Sequence, residues 1–237
     1  EILNLFTEKP VLGVTEVSEY LGIYKSTVHN ILSTLKAMEY LEQDEETGKY
    51  RLGIQVFNLS KALGDTYSIT KIAGPYMQEL SNHTGERCYL AVPYRQEVLY
   101  LDAMYPADSI ELMRSILGER AQMHCTGLGK AMLANMGERE ISDYLEHHEL
   151  EAFTENSITD KEKFKEELVR TKQRGYAIDD MEHEFGIKCI AMPVFDRTKN
   201  VYAAISISGL AQHFTDENIA EWAILLKKYI RKIESRL

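Results

Sequence analysis

The sequence is poor in cysteine, has fewer basic than acidic residues and has no long apolar run, and each shortage bears on a class of protein. Its three cysteines, Cys88, Cys125 and Cys189, are an odd number with no C-x-x-C pair. That excludes a disulfide framework and a structural zinc knuckle and leads us to expect a reducing, cytoplasmic setting. No stretch reaches the roughly 18 apolar residues of a membrane-spanning helix. The first residues lack the basic-then-apolar pattern of a signal peptide, and because the chain opens inside a helical pattern without methionine, further N-terminal residues are expected to precede it. The motifs G-x-S-x-G and H-E-x-x-H are both missing, so neither a nucleophile elbow nor a zincin helix is present. A net charge of −10 argues against a nonspecific coat on nucleic acid, but a local basic face would still suffice for a specific reader. There is no internal repeat and no low-complexity tract.

The pattern changes character near residue 53: short amphipathic helices precede it, and a longer mixture of helix and strand follows. Ile2, Leu3 and Phe6 have helical spacing. Thr15 is expected to cap a helix carrying Val17, Tyr20 and Leu21, with Gly22 as its stop. A second helix runs from Lys25 or Ser26 to about Met38, with Val28, Ile31, Leu32, Leu35 and Met38 on one stripe. Two β runs, "EYLEQD" and "GKYRLG", flank a turn at Gly48. Together these make a winged helix–turn–helix over residues 1–53. A linker helix is expected over 54–68, with Ile54, Phe57, Leu59 and Leu63 on its apolar side.

The remainder, 69–237, predicts a helix bearing Pro75, a strand pair "RCYLAVPYR" and "EVLYLDAMYP", and a further strand at "SIELMRS". Helices follow at about 128–136, 138–147 and 160–174. A second strand pair, "KCIAMPVFD" and "VYAAISISG", precedes a final helix after Thr215, whose core face is Ile219, Ala223, Leu226, Ile230 and Ile233. Strands that pair locally, with helices at the ends, indicate an α+β fold with an antiparallel sheet.

Helices fit the major groove and present polar side chains from their first turns. Ser26, Thr27, His29 and Asn30 occupy that position, with asparagine suited to a bidentate bond to adenine. Lys25, Lys49 and Arg51 are suited to phosphates, the last two on the wing. Against this stands the charge of residues 1–53, five Lys or Arg to nine Asp or Glu; any three-helix cluster has a polar outer face.

The run "VTEVSEYLGIYKSTVHNILSTLKAMEYLEQDEETGKYRLG" resembles the helix–turn–helix and wing of IclR-type transcriptional regulators, through G-x-x-K-S-T-x-H and Y-R-L-G. Where the family commonly has arginine directly after that histidine, this sequence has Asn30, which implies a different operator contact.

In the second half, "HCTGLGKAMLA" places Gly127 and Gly129 before a helix, whose unpaired amides favour an anion; a plain packing turn explains the glycines equally. Ser206 and Ser208 share one face of a strand, either as a polar pocket floor or bonded to backbone. Asp179 and Cys189 come from different segments and read equally as a turn residue and a small buried side chain. An Asp beside a bound anion would require a ligand hydroxyl or a proton. Asp179, His183 and Cys189 could alternatively be drawn as an enzyme's acid, base and nucleophile or as zinc ligands by residue type. The adjacent His147 and His148 read as a solvated pair.

This half, "RGYAIDDMEHEFGIKCIAMPVFD" included, resembles the IclR effector domain, and the resemblance covers nearly the whole chain. It implies a GAF-like domain binding a small organic acid through Gly127, Leu128, Asp179, Ile187, Cys189, Ser206 and Ser208, with Met113 as a further wall. It also implies double-stranded operator DNA as partner, no membrane, no cofactor and no catalysis. It further implies a homodimer that can pair into a homotetramer and repression or activation, here of a catabolic operon.

Overall fold

The structure, a computed structural model, describes residues 1–66, 68–107 and 116–237, and for 62–66 and 68 the backbone alone. "SIELMRS", Met113 and the side chain of Leu63 lie outside the described residues. The chain divides into two compact units, Glu1–Ser68 and Ile69–Leu237.

The first unit holds α1 (Ile2–Glu8), α2 (Val14–Leu21), α3 (Lys25–Ala37), β1 (Leu41–Gln43), β2 (Tyr50–Leu52) and α4 (Ile54–Thr66). Its core is Ile2, Phe6, Leu12, Val17, Val28, Leu32, Leu41 and Tyr50. Strands β1 and β2 form an antiparallel ribbon pairing Leu41 with Leu52 and Gln43 with Tyr50. Gly48, at φ +67°, takes the left-handed turn that a Cβ would disfavour. Tyr50 also exchanges backbone hydrogen bonds with Leu12 (2.8 and 3.0 Å), which ties the ribbon to the segment before α2.

Two expectations change here, and the apolar side of α4 stands open. The cap of α2 is Gly13 rather than Thr15: the Gly13 N–H donates to Glu16 Oε2 at 2.6 Å, so a carboxylate three residues on satisfies the amide of the cap residue itself. Ile31 and Met38 are exposed, because the stripe of α3 that meets the core is narrow and is filled by Val28 and Leu32. On α4, Ile54, Phe57 and Leu59 are exposed too, Phe57 by 67%.

The second unit is a six-stranded antiparallel sheet with helices packed against it. Its elements are α5 (Ser68–Thr84), β3 (Arg87–Tyr94), β4 (Glu97–Met104), β5 (Arg120–Gln122), α6 (Gly127–Leu133), α7 (Glu138–His147), α8 (Lys161–Arg174), β6 (Ala177–Asp180), β7 (Ile187–Phe195), β8 (Val201–Leu210) and α9 (Asp216–Glu234). The strand order is β5-β4-β3-β8-β7-β6. Alternation along the strands separates two faces. One carries small residues, Ala177, Ala191, Ala204 and Ala91, and packs with Leu128, Ala131, Met132, Phe164 and Leu168 of α6 and α8. Side chains of opposite parity, among them Ile190, Met192, Ile205 and Ile207, are larger and also buried.

Helix α9 buries Ile219, Ala223, Leu226, Ile230 and Ile233 as its periodicity requires, and Trp222 with them. Pro75 lies within α5, past its first turn, on an exposed side. Asp160 caps α8 by accepting from Lys163 N–H at 2.8 Å. His147 and His148 each sit within hydrogen-bond distance of the carbonyl four residues back, and His148 stacks on Tyr144 at 4.6 Å, so only His147 is a solvated side chain. Helix α6 ends at Leu133, three residues before its expected end. Strands β5 and β6 were not anticipated: three residues are too few to show alternation, and "AIDD" ends in two acids that oppose strand propensity. In both cases a neighbouring strand supplies the pairing that the local sequence does not.

Candidate functional sites

In the first unit the N-terminal turns of α3 present Lys25, Ser26, Thr27, His29 and Asn30, all exposed. Tyr24, immediately before the helix, is 85% exposed; sequence reasoning passed over it because an aromatic between two elements reads as core. The wing cations are already engaged. Lys49 Nζ lies 3.1 Å from Glu16 Oε1, and Arg51 donates to Glu42 Oε2 at 2.9 and 3.1 Å. Both pairs are solvent-exposed and therefore weak, so a phosphate can displace them. Lys25 makes no ion pair among the described residues.

In the second unit a cavity of about 430 Å³ opens on the small-residue face, within the range of small-molecule sites. Its lining includes Gly127, Leu128, Asp179, Ile187, Cys189, Ser206 and Ser208 together, and also Arg87, Tyr89, Tyr100 and His183. The sheet register explains the convergence. Asp179 on β6 pairs with Cys189 on β7, Cys189 with Ser208 on β8, and Ser208 with Arg87 on β3. The next row on that face is Ala177, Ala191, Ser206 and Tyr89. Helix α6 closes one end because residue 127 is glycine: a Cβ there would lie 2.4 Å from Cys189 Sγ and 3.7 Å from Asp179 Cβ.

The amides of α6 are less available than the glycine loop implied. Gly129 N–H donates to Thr126 Oγ1 at 3.2 Å, and Gly127 packs directly against the Cys189 sulfur. The loop is thus chiefly a close-packing device.

Beneath Asp179 lies a charged cluster that sequence reasoning missed. Lys130 is fully buried in α6 and ion-paired with buried Glu182. Glu182 Oε2 has no hydrogen-bond partner, while Glu182 N–H donates to Asp179 Oδ1 at 2.8 Å. Two carboxyls share one ammonium, and burial holds both above the ordinary carboxylate range, Asp179 at about 6 and Glu182 at about 7. The signal was there to read: Lys130 is a lone charge inside "HCTGLGKAMLA", and a charge on an apolar helix requires a buried partner.

Burial raises the Cys189 thiol far above its usual range, with the Asp179 charge adding to the effect, so no thiolate nucleophile forms. The His183 ring lies 3.7 Å from Cys125 Sγ rather than on Cys189. The acid–base–nucleophile and zinc drawings of Asp179, His183 and Cys189 therefore do not assemble, and among the described residues no three such ligands converge on a metal position. No helix among the described residues is long and apolar enough to cross a membrane.

Residues 61–235 match the family model described as bacterial transcriptional regulator IclR C-terminal, and residues 1–45 match the IclR helix-turn-helix domain. The chain belongs to the IclR family. Members of the IclR family are transcriptional regulators rather than enzymes. The chain is 32% identical over 223 residues to the HTH-type transcriptional regulator XynR of Escherichia coli, covering 94% of this chain and 88% of that protein. The IclR structure from Thermotoga maritima superposes with a TM-score of 0.83 at 30% identity, covering 100% of this chain and 95% of that one. An IclR homologue from Microbacterium hydrocarbonoxydans, solved as a complex with 4-hydroxybenzoate, shares the fold at a TM-score of 0.86 and 22% identity, over 99% of this chain and 95% of that one. As an IclR-family regulator the chain binds DNA, through a helix–turn–helix in which Asn30 directly follows His29.

Proposed function

We propose that this regulator reads operator DNA through residues 1–53 and senses a small organic acid through residues 69–237, with 54–68 as the linker between them, and that it controls a catabolic operon in the cytoplasm. The observation that carries the sensing half is that Gly127, Leu128, Asp179, Ile187, Cys189, Ser206 and Ser208 line one and the same cavity. A related fold solved with 4-hydroxybenzoate supports the acid class.

Ser26, Thr27, His29 and Asn30 read base edges, while Lys25, Lys49 and Arg51 neutralise phosphates. The exposed Ile54, Phe57 and Leu59 of α4 pair with a second copy, which sets the spacing of two recognition helices on a palindromic site; pairs of dimers form a tetramer. Ligand binding shifts this assembly between two states, and a coupling of about 1–3 kcal/mol is enough to change expression severalfold.

A thermal-shift screen of small carboxylic acids on wild type and Asp179→Ala tests the sensing half. A ligand at a hundredfold its Kd adds about 2.7 kcal/mol of stability. One acid class should raise the melting temperature of wild type and not of the variant; equal shifts in both would remove Asp179 from the site. For the reading face, His29→Ala and Asn30→Ala should lower the preference for operator over random DNA, and Lys49→Ala should weaken both about equally with a flatter salt slope. Unchanged discrimination in all three would move the reading face elsewhere.

A further inference from the structure

Another cavity, of about 360 Å³, opens in the same unit and shares no lining residue with the one beside Asp179. We infer that it binds an α-amino acid with an apolar side chain, whatever the Asp179 cavity takes. Helix α6 lies between the two cavities: Gly127 and Leu128 from its start line one, and Leu133 from its last turn lines the other. Strand β3 also reaches both, with Arg87 at one end and Tyr94 at the other, roughly 23 Å apart at about 3.3 Å per residue. Because β3 pairs antiparallel with β8, the turn after β3 and the turn before β8 fall side by side at one end of the sheet.

Those turns carry backbone that costs stability. Five non-glycine residues have positive φ among the described residues, and three of them line this cavity: Arg95 at +51°, Gln96 at +65° and Lys199 at +69°. A Cβ opposes left-handed φ, so such positions favour glycine or asparagine. Here they hold two long cations, and strained backbone of this kind collects at ligand sites. Asp196 fixes the second turn by accepting from the Thr198 and Asn200 N–H groups at 2.8 and 2.9 Å. Helix α7 supplies the opposite charge through Glu140 and Asp143, three residues apart and so on one helix face. Glu140 is held in place by the Gly137 N–H at 2.9 Å. Among the described residues Arg95, Lys199 and Asp143 form no ion pair; the Arg95 guanidinium lies over the Tyr94 ring, 5.2 Å from its centroid. The floor is apolar and buried, with Met123, Leu133 and Tyr144. A ligand of one charge would satisfy either the turns or α7 and be opposed by the other. A zwitterion satisfies both, its carboxylate at Arg95 and Lys199 and its ammonium at Glu140 and Asp143, with its side chain on the floor. A guanidinium and a carboxylate form the stronger, charge-assisted class of hydrogen bond.

The test is calorimetric titration of the full chain with L-leucine, L-methionine and L-phenylalanine. Each is compared with its amide, which lacks the negative charge, and with its deaminated acid, which lacks the positive one. A pH of about 6.5 keeps the amides' ammonium protonated. At least one amino acid should bind wild type about tenfold or more tighter than both of its analogues, the worth of one charge-assisted bond. Joint Arg95→Gln and Lys199→Gln substitution should erase the preference over the amide, and Asp143→Asn should remove most of the preference over the deaminated acid. Thermal unfolding without ligand checks that the variants fold, and the wild-type comparison stands even if they do not. The assignment is overturned if none of the three amino acids binds, if the analogues bind as tightly, or if folded variants keep both preferences. Binding that is lost in Asp179→Ala but indifferent to Arg95, Lys199 and Asp143 places the amino acid in the other cavity and overturns it as well. None of these results bears on the effector reading except the last, which would support it.

Discussion

Replacing Asp179 by asparagine should make the second unit more stable at pH 8. Burial lifts the Asp179 carboxyl from 3.8 to about 6, so above pH 6 the folded state carries a buried carboxylate that the unfolded chain would solvate. The difference corresponds to about 3 kcal/mol. The sign follows from linkage. A folded-state pKa above the unfolded value contributes stability that is fully present below pH 3.8 and lost as the pH rises through about 6. Asparagine resembles the protonated acid: its Oδ1 still accepts the Glu182 N–H, and the repulsion between residues 179 and 182 disappears. The new amide N–H₂ needs a partner, which offsets about 1 kcal/mol or more. The net expectation is a gain of about 1–2 kcal/mol at pH 8, or roughly 2–8 °C for a domain of this size. The gap should narrow below pH 6, close at about pH 4.5–5 and reverse slightly below that, where the amide's unmet donor is all that remains. Calorimetric melts of both proteins at intervals from pH 4 to 8 measure it, following the transition of the second unit. A variant less stable at pH 8, or one whose melting temperature runs parallel to wild type across the range, would refute the claim that Asp179 is held against its ionisation.

Gly127→Ala should destabilise the same unit by about 1–3 kcal/mol, because its Cβ would lie 2.4 Å from Cys189 Sγ; adding Cys189→Ala should recover most of that, and a purely additive double-mutant cycle would contradict the contact. Lys130→Met removes the only cation from a buried pair, for a loss of about 3–5 kcal/mol at pH 8. Because Glu182, already raised to about 7, protonates more readily once unpaired, the loss should be smaller at pH 5.5, and a pH-independent loss in chemical denaturation would count against the pairing. Glu16→Gln keeps an acceptor for the Gly13 N–H and frees Lys49; affinity for operator and random DNA should both rise, with a steeper salt dependence, and unchanged binding would take Lys49 off the phosphate-contacting surface.

Legibility in the sequence tracked how local each determinant was. Helices α3, α8 and α9 were readable from periodicity and caps, and both strand hairpins from alternation flanking short turns. What was not readable was set by partners distant in sequence. Ile31 and Met38 have the spacing of core residues, but of α3 the small first unit buries only Val28 and Leu32, with Leu35 packed at their edge. Strands β5 and β6 exist because β4 and β7 offer edges to pair with. Candidate pocket residues could be named from their motifs, but their arrangement could not: that Asp179, Cys189, Ser208 and Arg87 fall in one row depends on the register of three strand pairs. Arg87 read as an ordinary strand terminus, and the Lys130–Glu182 pair joins residues 52 apart in the chain. Even so, the lone lysine of α6 announced that some buried carboxylate had to exist.

The central claim is that ligand in the second unit governs DNA binding by the first. The direct measurement is the affinity for an operator, selected from random duplex DNA by the protein itself and titrated by fluorescence anisotropy with and without the acid found in the thermal screen, for wild type and Asp179→Ala. The account predicts a change of at least about fivefold in wild-type affinity at saturating ligand and none in the variant. Wild-type affinity that stays constant at saturating ligand would contradict it, since the two units would then bind their partners independently.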